Sequence, residues 1–136
     1  MRTVLAAMIG GFILLLPAGF SSATTCIALP PLKPIHQAFG IVIDPSGEIV
    51  PNAKVTVLKD GREVVAMQTG MDGKFSFDRL EAGHYDIQVD AKGFSSAYSS
   101  IVVVKPTLKG KQALQVFLNV GMGCSTITEV KSKKIK

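Results

Sequence analysis

Histidine and cysteine are scarce in this chain, two of each among 136 residues, and that scarcity weighs first against catalysis. A catalytic site needs a nucleophile, a base and an orienting group that converge. His36 stands at the end of a proline-rich stretch, and His84 directly precedes Tyr85 in a run with strand alternation. A metal site needs several ligands at short spacing, and His84 with Asp86 supplies at most two on one strand face. Asp44, Asp60 and Asp72 each precede or enter a glycine turn, where a carboxylate that bonds nearby backbone is a turn former. The twelve-residue loop of alternating oxygen ligands that holds calcium is missing. The expectation is a protein that is not an enzyme, with no catalytic residue, no metal and no cofactor.

Helical periodicity is missing too, and so is a broad basic face. The formal net charge is +5 and the pI is about 9.4, but five of the positive charges are Arg2 near the start and Lys131, Lys133, Lys134 and Lys136 at the end. Without them the body is close to neutral, which is not the footprint of a nucleic-acid binder. The terminal lysines read as a solvated, disordered tail.

The first segment has the form of an export signal. Arg2 supplies a positive start, Val4 to Leu16 is almost wholly apolar, and Pro17 to Ala23 ends in small residues, with Ser21 and Ala23 at the cleavage-type positions. A retained membrane anchor is the rival reading, and the apolar run falls short of the roughly 20 residues that a spanning helix needs. The sequence thus predicts a signal peptide over 1–23, a proline-rich connector over 24–35, one folded domain over 36–121 and a tail with one cysteine over 122–136. It places the mature protein outside the cytoplasm, secreted or periplasmic, with membrane contact only through the signal peptide before cleavage.

Cys26 follows the expected cleavage point and Cys124 precedes the basic tail. In an oxidising compartment the two read as a clasp that joins the ends of the domain. Closing so long a loop contributes about 4–5 kcal/mol in the chain-entropy view. The alternative for Cys26 is lipid attachment, but Ala23, Thr24 and Thr25 match the usual preceding pattern poorly.

What the sequence does contain is a series of short β-type runs between turn signals. Thr24 to Pro34 carries Pro30, Pro31 and Pro34, which remove backbone donors and hold an extended chain. The first run is Gln37 to Ile43, closed by Asp44-Pro45-Ser46-Gly47. Ala53, Val55 and Val57 alternate with Lys54 and Thr56, and Asp60-Gly61 gives a two-residue hairpin signal before Glu63 to Thr69. Asp72-Gly73 turns the chain into Phe75 and Phe77 on one face. After Gly83, Tyr85, Ile87 and Val89 alternate with Asp86, Gln88 and Asp90. Lys92-Gly93 leads into Ser96 to Val104, apolar on both sides, and Pro106 and Gly110 bracket a turn before Lys111 to Val120, with Leu114, Val116, Leu118 and Val120 on one side. Gly40, Gly47, Gly61, Gly73, Gly83 and Gly93 are read as structural turn positions. Seven runs of this kind predict an all-β, seven-stranded antiparallel Greek-key sandwich, because each half-apolar sheet must be covered by another.

The pattern Gly40-x-Val42-x-Asp44-x-x-Gly47-x-x-Val50-x-x-Ala53-x-Val55, then Thr69-x-x-Asp72-Gly73-x-Phe75-x-Phe77-x-x-Leu80-x-x-Gly83-x-Tyr85, then Gly93-Phe94, resembles the carboxypeptidase regulatory-like domain of the transthyretin-like sandwich group. The resemblance implies that fold and, where such domains are fused to enzymes or receptors, an accessory role in stability, positioning or recognition. It carries over no activity, because the matching residues are structural. Relatives that hydrolyse a purine breakdown product would require a Tyr-Arg-Gly-Ser ending, and this chain ends in lysines. Relatives that form a Lys to Asn bond need a buried acid where this chain has Val89, so Asn119 is expected to be a surface residue.

The candidate binding residues are Phe94, Ser96 and Tyr98. With Ser95, Ser99 and Ser100 they offer ring faces and hydroxyls near one turn, able to stack on and hydrogen-bond a sugar or a peptide. The plainer reading is a polar loop whose Phe94 plugs the end of the core. The expected function is an exported, non-catalytic module for contact with another protein or a cell-surface polymer. A carbohydrate-binding module is the alternative, a transthyretin-like hydrolase a distant third, and no nucleic-acid partner is expected.

Overall fold

The computed structural model describes Cys26 and residues 31–105 and 112–131. The expected signal peptide, half of the connector, the Pro106–Gly110 turn and the last lysines lie outside the described residues. The described chain forms β1 (Ala38–Ile43), β2 (Lys54–Lys59), β3 (Arg62–Gln68), β4 (Lys74–Phe77), β5 (Gly83–Asp90), β6 (Ala97–Val103), β7 (Gln112–Phe117) and β8 (Thr126–Lys131). Two four-stranded sheets, β4-β1-β7-β8 and β3-β2-β5-β6, pack face to face.

Two expectations need correction. There are eight strands among the described residues, and the eighth, β8, runs through Lys131, which the charge pattern assigned to a disordered tail. Thr126, Ile127, Thr128 and Val130 are β-branched and favour extended chain, so β-propensity prevails there over the solvation of one lysine. The sheets are also not wholly antiparallel, since β1 and β7 pair in parallel, Gly40 opposite Leu114 and Val42 opposite Val116. The long excursion between them supplies the crossover that parallel neighbours need.

Alternation puts Tyr85, Ile87 and Val89 of β5 into the core with Val55 and Val57 of β2 and Ile101 and Val103 of β6. Val42, Phe75, Phe77, Leu114, Val116 and Ile127 meet them from the other sheet. Each fully buried Val, Leu or Ile contributes about 1.5–3 kcal/mol relative to exposure, an upper figure because the unfolded chain is partly compact. Val120, expected on the same side as Leu118, is exposed instead, because β7 ends at Phe117 and the chain turns through Gly121.

Asp60 and Gly61 both have positive φ, 53° and 75°, which is the two-residue turn that matches strand twist. Of the other glycines read as turn formers, Gly40 is not at a turn. It lies inside β1, where a Cβ would collide with the Leu114 carbonyl oxygen and come within 2.9 Å of the Phe75 ring. Its role is to let β7 and Phe75 approach the backbone. Gly83 likewise opens β5 rather than bending the chain.

Thr69 is the buried polar anchor of the β2–β3 end. Its hydroxyl accepts from the Ala53 N–H at 2.9 Å and donates to the Val50 carbonyl at 2.8 Å. Both of its hydrogen-bonding roles are filled, as a buried hydroxyl requires.

Candidate functional site

The predicted binding trio is split by the fold. Phe94 is half-buried and packs against the core cluster. Its backbone pairs with Val120, and it walls a shallow hollow of about 310 Å³ with Asp44, Ile49, Asn52 and Lys92. Tyr98 sits on β6, where alternation sends Ala97, Ile101 and Val103 inward and Tyr98 and Ser100 outward, and it is 61% exposed. Ser96 donates to the Asp90 carboxylate.

Tyr98 belongs to an ordered polar array on the outer face of β5 and β6. It lies directly opposite Gln88, with the Asp86–Ser100 pair next along the strands. The Ser100 hydroxyl donates to Asp86 at 2.7 Å, and Gln88 donates to Asp90 at 2.9 Å. The Tyr98 hydroxyl also hydrogen-bonds Asp86. That bond, some loss of water and the carboxylate's charge together hold the Tyr98 pKa above its ordinary value. The sequence identified Tyr98 and Ser96 but not the acids that fix them. Their signal was the regular Asp-x-Gln-x-Asp of β5, read only as a solvated face.

A second feature, missed in the sequence, lies between the edge strands β3 and β4. A groove of about 490 Å³ is lined by Val64, Val65 and Met67, by Phe77, and by Arg79 and Leu80 beyond β4. Val64 is 51% exposed. It is the extra residue of a bulge where the β2–β3 register shifts between Val57 and Leu58. The run Val64-Val65-Ala66-Met67, apolar at successive positions, was the signal available.

His36 Nδ1 lies 2.9 Å from the Lys105 carbonyl oxygen and donates to it. His84 is exposed at the start of β5. Asp44 accepts from the Ser46 and Glu48 N–H groups at 2.8 and 3.0 Å, and Asp72 accepts from the Lys74 N–H at 3.1 Å, as turn formers do. Asn119 is more than a surface residue. Its Oδ1 accepts from the Val120 N–H, its carbonyl accepts from the Ser95 N–H at 2.7 Å, and its own N–H donates to the Ser125 hydroxyl at 2.8 Å. Cys26 and Cys124 form a disulfide, with Cα atoms 5.6 Å apart. No group of three or more His, Cys, Asp or Glu suited to a metal ion occurs among the described residues.

Two facing four-stranded sheets in this order define a transthyretin-like sandwich. A 5-hydroxyisourate hydrolase from Klebsiella pneumoniae has a similar structure, with a TM-score of 0.53 and 17% identity over 71% of this chain and 98% of that one; at that identity the likeness concerns the fold. The family model for the carboxypeptidase regulatory-like domain matches residues 38–116, more than half of the chain. The chain belongs to that family. In sequence it is 38% identical over 65 residues to the pyrogallol hydroxytransferase small subunit of Pelobacter acidigallici, a match that spans 48% of this chain and 22% of that subunit.

Proposed function

We propose that the chain is an exported, non-catalytic sandwich module that works by contact with another protein or with a polymer of the cell envelope. The observation that carries export is the Cys26–Cys124 disulfide, which ties two points 98 residues apart and belongs to an oxidising compartment. No helix among the described residues is long and apolar enough to cross a membrane. Contact as the mode of action is supported by the relative at 38% identity, where the matching stretch is one part of a protein named as a subunit.

Crosslinking in intact cells, followed by pull-down from the envelope fraction, tests the reading. The expected result is a discrete adduct in that fraction. Recovery of the reduced, uncleaved chain from the cytosol with no adduct would sink it.

Carbohydrate binding is the second reading, and Tyr98 supports it. A largely exposed ring on a rigid strand, beside carboxylates already held by Ser96 and Ser100, offers stacking and hydroxyl acceptors together. Uniform absence of signal on a glycan array removes it. The hydrolase reading rests on fold similarity alone, and fold does not carry function.

A further inference from the structure

The four sheet edges differ in how they are guarded, and β8 carries the oddest feature. Its register sets Ile127 opposite Val116 and Glu129 opposite Leu114. Val116, Leu114 and Ile127 all belong to the core, and directly opposed residues share a face, so Glu129 stands on the core side of an edge strand. Its Oε2 is shut off from solvent and has no hydrogen-bond partner among the described residues. Buried polar atoms are nearly always bonded, so this one calls for a reason.

The other edges have visible protection. The bulge at Val64 interrupts β3. β4 is four residues long, and Lys74 already gives its N–H to Asp72 and its carbonyl to the Gly70 N–H. β6 is covered at its end by the connector, where Ile35 donates to the Val102 carbonyl and accepts from the Val104 N–H, both at 2.8 Å. Among the described residues β8 has none of these, although four of its six residues are β-branched. An inward-pointing charge is a further way to blunt an edge.

We infer that Glu129 holds the β8 edge closed to a second copy of this chain. Two antiparallel self-pairings that keep the core faces together overlap over five of the six residues of β8: one centred on Glu129 sets the two carboxylates opposite each other, and one centred on Thr128 sets Glu129 of each copy opposite Ile127 of the other. Either pairing strips the remaining water from a carboxylate and sets it against a like charge or an apolar neighbour, a cost that opposes docking. A slipped register that meets Glu129 with the other copy's Lys131 keeps only three residues of overlap.

Light scattering on the purified, oxidised protein over a range of concentrations tests this. The wild type is expected to be monomeric. Glu129→Leu is expected to double in mass, with a Tm that rises with concentration and new amide-exchange protection confined to β8. Thr128→Leu, which adds an apolar group to the outer face of the same strand, is expected to remain monomeric. Glu129→Gln dimerises at higher concentration than Glu129→Leu, and it decides the matter if the leucine variant does not fold. A wild type already paired through β8, both Glu129 variants monomeric, or Thr128→Leu dimerising as readily would overturn the inference.

Discussion

On one side of the sandwich the edge strands β6 and β8 approach each other, Ile35 of the connector pairs with β6, and Leu32 packs on the core. On the other side β3 and β4 stand apart across a groove of about 490 Å³, joined by the turn that follows Thr69. The difference is one of chain economy. A segment from outside the sheets, held through the disulfide, covers the end of β6 on the first flank, whereas the second relies on what its own strands carry. Such a domain can be rigid on the flank the connector crosses and still keep open surface opposite.

Breaking the clasp is the harshest trial of this contrast. Cys26→Ser with Cys124→Ser is expected to cost about 4–5 kcal/mol in denaturant unfolding, and amide exchange at Val104, whose N–H is held by Ile35, should speed up well before exchange in β2 and β3. Equal loosening of both flanks would show that the connector does not hold one of them.

The seam between the flanks is next in size. Gly40→Ala puts a methyl against the Leu114 carbonyl and the Phe75 ring, and overpacking of that kind costs about 3 kcal/mol. Because backbone must move, β7 and β4 are both expected to shift in amide spectra. A change confined to β1 would refute the tight approach.

Thr69→Val probes the open flank alone. It leaves the Ala53 N–H and the Val50 carbonyl without the hydroxyl that serves them, at an expected cost of about 2 kcal/mol. Thr69→Ser keeps the hydroxyl and should recover most of the loss. If serine were as unstable as valine, packing of the methyl group and not hydrogen bonding would govern that corner.

The part of the molecule legible in sequence was the part governed by period and turn chemistry. Asp60-Gly61 gave the hairpin, and the alternation of Tyr85, Ile87 and Val89 gave the central strand. Both are local rules, with no need to know which strand lies next door. Gly40 shows where local rules stop: the same absence of Cβ that serves a turn also serves a close approach, and only the parallel neighbour β7 tells them apart. β8 was hidden for a similar reason, since its lysine was counted with the tail while its β-branched residues went unweighed. The site was less legible than the fold. Phe94 and Tyr98 are four residues apart, yet Phe94 follows the Lys92–Gly93 turn and pairs with Val120 while Tyr98 lies within β6, so one ring reaches the core and the other the outer face.

The mildest of these experiments concerns that outer face. The chain has two tyrosines, Tyr85 and Tyr98, and the pKa of Tyr98 is held above its ordinary value, first by its hydrogen bond to Asp86. A group whose pKa is higher folded than unfolded stabilises the fold fully below the unfolded value, about 10 for tyrosine, and loses that contribution as pH climbs through the folded value. Stability should therefore show no Tyr98 effect from neutral pH to mildly alkaline pH and should decline only beyond it, by little, because the ring is largely exposed. Absorbance titration of Tyr85→Phe follows Tyr98 alone, and Asp86→Asn in that background is expected to bring its midpoint down toward the ordinary value. An unmoved midpoint would mean that the β5 carboxylate does not hold the ring. The ordered face would then reduce to separate side chains, and the contrast with the hollow where Phe94 is fixed by packing would become sharper.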